Sequence, residues 1–296
     1  MSFTILDGGM GRELHRMGAP FRQPEWSALA LMLAPETVER AHQHFADAGA
    51  GTITTNSYAL VPFHIGEARF KAEARRLADL AGGLARKVAN SAKHKVSVAG
   101  SLPPLFGSYR PDLFDEAQAP AIIRPLIDGL SPHADLWLAE TQGSLAEARF
   151  AKAALGKDER PFWVSFTLDD DNDDLARPKL RSGECVAAVV TAMLELGSDA
   201  ILFNCSQPEI MAGAVEAARS IRDARGSSAR IGVYANAFPP QRDEAANEGL
   251  SDIRADLTPA RYAQFAQEWR GHGADIIGGC CGIGPEHIAA LTALRA

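Results

Sequence analysis

Short β-rich runs alternate with helical stretches eight times along this chain, and that alternation leaves few folds open to it. The runs fall at residues 3–6, 52–55, 95–99, 134–139, 162–167, 200–203, 230–234 and 274–277. Helical patterning begins at 10–15 and covers 35–46, 67–93, 115–131 with a break near Pro125, 144–155, 183–196, 208–225, 258–271 and 285–294. Strands that alternate with helices pair in parallel. Eight such units in one chain favour a closed barrel over an open, doubly wound sheet. The expectation is one α/β domain over residues 1–296, a (β/α)8 TIM barrel, which is close to the usual size for that fold.

Such a barrel brings its strand ends together on one face, the face where these folds build their sites. Asp7, Asn56, Ser101, Glu140, Thr167, Cys205, Asn236 and the pair Cys280–Cys281 all follow the end of a run, so residues scattered over the chain become neighbours. Adjacent strand residues point to opposite faces, so Cys280 and Cys281 can serve one ion only where the backbone turns sharply; Gly278, Gly279 and Gly282 permit that turn. With Cys205, three thiolates could converge on a tetrahedral Zn²⁺ and leave its fourth position open, as catalytic zinc sites do. Two other readings compete. A glycine-rich loop late in a barrel can cradle a phosphate, and buried cysteines often act as small apolar residues. The fourth cysteine, Cys185, falls in an apolar helical stretch and is expected to pack in the core. The acidic run 169–174 is expected to be a solvated loop.

With 46% apolar and 23% charged residues, the chain has the balance of a globular protein with a large core. A formal net charge of -7 gives no reason to expect nucleic acid or an anionic membrane as partner. There is no leader pattern and no apolar run of about 18 residues. Four cysteines are too few for a disulfide framework in a chain of this length. A cytoplasmic protein acting on a small molecule is expected.

Taken together, Ile5-Leu-Asp-Gly-Gly-Met-Gly11, Thr54-Thr-Asn-Ser-Tyr58, Glu140-Thr141, Ser165-Phe-Thr167, Asn204-Cys205 and Gly278-Gly-Cys-Cys-Gly282 resemble the homocysteine S-methyltransferase family over essentially the whole chain. The resemblance implies a zinc barrel in which Cys205, Cys280 and Cys281 hold the metal and the homocysteine sulfur takes the open position. It also implies that Asp7, Gly8 and Glu140 hold the amino-acid end. On their shared face with the thiols, the amides around Gly8 and Gly9 and the side chains of Asn56 and Asn236 complete the expected substrate-binding set. Many members of the family place a proline before the asparagine of the seventh strand, where this chain has Ala235. The loop 102–112 also departs from the commonest form, so the donor side is expected to differ.

The expected methyl donor is a small sulfonium, S-methylmethionine or S-adenosylmethionine, with betaine as the alternative. The eight units fill residues 3–294 and leave no room for folate or cobalamin modules. A sulfonium also leaves as a neutral thioether and needs no general acid. Tyr58, Phe106, Tyr109 and Phe238 stand in exit loops where a compact cation could meet aromatic faces. Two rival functions have separate signatures. Aldol-type chemistry on a phosphorylated substrate calls for a lysine at a strand end, and none of the eight ends offers one. A non-catalytic zinc barrel would bind metal but have no affinity for homocysteine.

Overall fold

The computed structural model describes residues 3–172, 174–240 and 252–295. Its eight strands are β1 (Thr4–Ile5), β2 (Thr52–Thr54), β3 (Ser97–Leu102), β4 (Leu136–Gln142), β5 (Phe162–Phe166), β6 (Ala200–Asn204), β7 (Arg230–Tyr234) and β8 (Ile276–Ile277). They form one sheet in the order β1–β8–β7–β6–β5–β4–β3–β2, with every neighbouring pair parallel. A bridge from Leu6 to Thr52 joins the two outer strands, helped by the Asp7 N–H donating to the Thr52 carbonyl at 3.0 Å. The expected single (β/α)8 barrel is the observed fold.

Period-two alternation sorts each strand into two faces. Leu6, Ala99, Leu136, Leu138, Trp163, Ala200, Leu202, Tyr234 and Ile276 fill the barrel interior. Their neighbours, such as Ile201 and Phe203, pack outward against the helices. Ser101, Glu140 and Asn204 have the interior parity and stand at the upper end of their strands, so they crown the interior core. At the opposite end Arg230 spans the floor, donating to Thr4 Oγ1 at 2.8 Å.

The helices among the described residues are α1 (Met10–Arg16), α2 (Ser27–Leu33), α3 (Pro35–Asp47), α4 (Pro62–Ile65), α5 (Glu67–Ser91), α6 (Ala119–Leu130), α7 (Leu145–Ala154), α8 (Val186–Glu195), α9 (Pro208–Ala224), α10 (Pro259–His272) and α11 (Pro285–Ala293). Three expectations need correction. Helix α6 is not interrupted at Pro125: its stripe of Ile122, Ile123, Leu126, Ile127 and Leu130 is buried, and that burial outweighs one missing hydrogen bond. Cys185 is exposed and not in the core, because α8 starts one residue later and buries Val186, Val189, Val190 and Met193 instead. The acidic run is not wholly solvated. The Asp170 side chain is buried against Arg181 at 2.9 Å, and its Oδ1 accepts the Gln207 N–H at 3.1 Å.

On α3, His42 is fully buried, and neither ring nitrogen has a hydrogen-bond partner among the described residues. Burial pushes its pKa down to about 4. The unfolded chain therefore binds a proton between the ordinary value of 6.5 and about 4 that the folded chain refuses. Stability should fall as pH drops through that window, by roughly 3 kcal/mol in all. His42→Leu is expected to remove this acid-side slope and to unfold later in urea at pH 5 than the parent chain. Parallel pH dependence in the two proteins would refute this reading of His42.

Candidate active site

The thiols meet because three strand exits are tied together by backbone bonds. Cys280 N–H donates to the Ala235 carbonyl at 2.9 Å, Ala237 N–H to the Cys281 carbonyl at 2.8 Å, and Cys205 N–H to the Tyr234 carbonyl at 3.3 Å. The loop after β7 thus holds both cysteine-bearing segments. Glycine is required where the loop folds on itself and where it touches the start of the chain. A Cβ on Gly279 would lie 2.1 Å from Ile283 Cγ2, and one on Gly9 2.5 Å from the Cys280 carbonyl oxygen. The three sulfurs lie within 4.8 Å of one another, with Cys205 Sγ and Cys280 Sγ 2.7 Å apart.

That arrangement suits a metal ion. Zn–S bonds of about 2.3 Å in a tetrahedron set sulfurs about 3.8 Å apart, so a small outward shift of Cys205 or Cys280 accommodates the ion. All three donors are soft thiols, and among the described residues no fourth His, Cys, Asp or Glu joins the group. The thiols share charge unequally. Cys281 is held well below the usual thiol range by hydrogen bonds from Cys205 and Cys280, with the Arg12 guanidinium adding to the effect.

The sulfurs open into a cavity of about 170 Å³ that also receives Asp7, Gly8, Gly9, Asn56 and Glu140. Asp7 is fixed by Thr54, whose N–H donates to Oδ2 at 2.7 Å and whose Oγ1 donates to Oδ1 at 3.0 Å. Burial pushes its pKa up to about 7 against the pull of those bonds. Glu140 accepts from Ser101 Oγ through Oε1. Burial pushes its pKa up to about 8; the Ser101 bond opposes this, and the charges of Asp7 and Cys205 add to it. Neither Ser101 nor Glu140 follows its strand, as expected from sequence; both lie within the last residues of β3 and β4. The β4–β5 register shifts between Ala139 and Gln142, an irregularity that re-aims side chains. Asn204 holds it in place, accepting the Thr141 N–H at 3.1 Å and donating to Thr141 Oγ1 at 2.8 Å.

Asn56 Nδ2 donates to the Ser27 carbonyl at 3.2 Å on the cavity wall. Gly9 lines the cavity, but its N–H is committed to the Ile283 carbonyl at 2.9 Å. Asn236 is fully buried and not on the wall; its Oδ1 accepts the Phe238 N–H at 3.2 Å and so shapes that loop. Thr167 is fully buried, 3.3 Å from Ser206 Oγ.

Of the aromatics expected at the rim, Tyr58, Tyr109 and Phe238 line the cavity. Phe106 packs edge-on against Phe114 instead. Arg12, Trp26 and His64 also reach the wall and were missed from sequence. Arg12 stands one turn beyond Asp7, Gly8 and Gly9, a placement that could have flagged it. Trp26 and His64 lie in segments with no long period to place them. His64 Nδ1 donates to the Pro24 carbonyl at 2.8 Å, and burial pushes its pKa down to about 4. Among the described residues the four non-glycine positions with positive φ are Trp26 at 48°, Tyr109 at 64°, Thr141 at 58° and Cys205 at 53°. All four line this cavity.

The profile of the family described as homocysteine S-methyltransferase matches residues 4–294. Homocysteine S-methyltransferase 1 of Brassica oleracea var. italica is 26% identical, over 98% of this chain and 92% of its own length. The homocysteine S-methyltransferase of Escherichia coli K12 is 28% identical, over 98% and 94%. The crystal structure of the homocysteine methyltransferase MmuM from Escherichia coli in its metallated form superposes with a TM-score of 0.80 at 26% identity, covering 99% of this chain and 96% of that one. A match from one end of the barrel to the other, on a chain whose three thiols and two buried carboxylates share one cavity, places it among methyltransferase enzymes: it belongs to the homocysteine S-methyltransferase family.

Proposed function

We propose that this chain transfers a methyl group from a small sulfonium, S-methylmethionine or S-adenosylmethionine, to the thiol of homocysteine, giving methionine. Zn²⁺ would be held by Cys205, Cys280 and Cys281. The observation that carries this reading is the meeting of three thiols with Asp7 and Glu140 in one cavity. Bound zinc would supply the deprotonation of an incoming thiol at neutral pH. Glu140 would take the substrate ammonium, with Asp7 beside it. The Gly8 N–H would donate to the substrate carboxylate. Trp26, Tyr58, Tyr109 and Phe238 present aromatic faces that favour a cationic donor. The donor leaves as a neutral thioether, so no side chain has to deliver a proton. The chain's part is alignment of sulfur, methyl and leaving group, which can supply much of the rate. Thiols that must stay reduced argue for a cytoplasmic setting.

The test is a donor panel. Zinc-loaded protein is incubated with homocysteine and, in turn, S-methylmethionine, S-adenosylmethionine, betaine and methyltetrahydrofolate, and methionine is measured by mass. Turnover with a sulfonium is expected. Turnover with methyltetrahydrofolate alone, or with neither sulfonium, defeats the donor assignment.

The raised carboxyl groups give binding a pH dependence of known sign. Pairing with an ammonium needs Glu140 and Asp7 ionised, and each unit below their values of about 8 and about 7 costs about 1.4 kcal/mol. Affinity should therefore rise as pH climbs from about 6 through 8, until the ligand's own ammonium deprotonates. Methionine carries no thiol, so calorimetric titration with it isolates the carboxyl contribution. Equal affinity at pH 6 and pH 8 would count against these two groups as the ammonium site.

A further inference from the structure

An acceptor held by its sulfur at the thiols and by its ammonium at Glu140 must match in length the gap between Cys205 and Glu140. The sheet itself leaves that gap loose. Strands β4 and β6 are not neighbours, because β5 lies between them. The β4–β5 ladder pairs Ala139 with Val164 and Gln142 with Phe166, so Glu140 and Thr141 together stand opposite Ser165 alone. A bulge of this kind leaves its extra residue without a ladder partner.

Asn204 ties the two ends together instead. It directly precedes Cys205, and its fully buried side chain reaches past β5 to the peptide that joins Glu140 to Thr141. Its Oδ1 accepts the N–H of that peptide at 3.1 Å, and its Nδ2 donates to Thr141 Oγ1 at 2.8 Å. Ser165 Oγ of the intervening strand donates to the same Oδ1 at 2.7 Å. The residues at either end of the tie, Thr141 at φ 58° and Cys205 at φ 53°, hold left-handed backbone. Such conformations persist only where surrounding contacts dictate them. We infer that Asn204, braced by Ser165, is a positioning residue that selects the acceptor by chain length: a thiol amino acid with two methylenes between sulfur and α-carbon spans the gap, and one with a single methylene does not. Cysteine bound through its sulfur would leave its ammonium short of Glu140, and a buried polar group without its partner is costly. Without the tie, the bulge is free to move toward the thiols and close on the shorter acceptor.

This inference rests on the methyl-transfer reading, and one set of titrations separates the two. Zinc-loaded protein and its Asn204→Ala and Ser165→Ala variants are titrated calorimetrically with homocysteine, with cysteine and with propane-1-thiol, which has no amino-acid end; zinc content is checked after each. The parent protein should prefer homocysteine to cysteine by on the order of tenfold or more, the usual worth of one methylene in a fitted site. Asn204→Ala should bring that ratio close to unity. Ser165→Ala leaves both bonds to Thr141 in place and should narrow the ratio in part. Affinity for propane-1-thiol should stay level in both variants, because that ligand spans nothing. A loss shared equally by all three ligands would make Asn204 a purely structural residue and overturns the inference. So does a full homocysteine preference in Asn204→Ala, or equal binding of the two amino acids by the parent. If Asn204→Ala does not fold, Ser165→Ala decides, and an unaltered preference there overturns the inference. A parent that binds propane-1-thiol and gains nothing from the amino-acid end of homocysteine removes the methyl-transfer reading itself.

Discussion

Replacing Cys205, Cys280 or Cys281 singly by alanine is expected to cut methionine formation by more than about 100-fold and to lower zinc content well below one per chain. Substituting a residue that only orients a metal ligand typically costs 10–100-fold in affinity or activity, so removal of a direct ligand should exceed that range. The three side chains have no substitute close by, since no other His, Cys, Asp or Glu joins the cluster among the described residues. Cys185→Ala serves as the control, because that thiol is exposed at the start of α8, away from the cluster. The barrel should survive each change, which circular dichroism and gel filtration can verify. Normal turnover with stoichiometric zinc in any one variant would end the three-thiol assignment.

Glu140→Gln is expected to weaken homocysteine binding by on the order of 10- to 100-fold at pH 8.5, from loss of a charge-assisted contact worth roughly 1.5–3 kcal/mol. The variant keeps the shape of the side chain and can still accept from Ser101, so packing should change little. The deficit should shrink at pH 6.5, where the parent's own carboxyl, raised to about 8, is mostly protonated. Asp7→Asn should behave differently. Both Asp7 oxygens already accept from Thr54, so that change should disturb the seam between β1 and β2 as well as the substrate. Homocysteine affinity unchanged by Glu140→Gln at pH 8.5 removes Glu140 from the site.

The repeating alternation of strand and helix was readable because it rests on local pattern, and all eight strands lie where that pattern puts them. The thiols were readable for a related reason: once the strand ends share a face, Cys205 and the Cys280–Cys281 pair must be near one another. What escaped depends on contacts remote in sequence. Helices α2 and α4, of 7 and 4 residues, are too short to show a period. Trp26, at the start of α2, and His64, within α4, reach the cavity because these two short helices pack against α5. Cys185 and Asp170 were misread because an apolar stripe and an acidic run say which side chains could be buried, not which one the chain turns inward. Asn236 shares the strand-end register of the other site residues. Its side chain is nevertheless drawn into the turn of its own loop.

The four residues with positive φ around the cavity have a consequence for how this sequence can change over generations. A non-glycine residue in such a conformation costs on the order of 1–3 kcal/mol, and glycine or asparagine at the same position is relieved of much of that cost. A lineage screened only for endurance at high temperature would therefore drift toward those two residues at positions 26, 109, 141 and 205. Each step would look beneficial in a melting curve. The sum would be a hardier barrel that has discarded one of its three sulfurs and two aromatic walls. Breeding this chain for robustness thus requires a chemical screen run beside the thermal one.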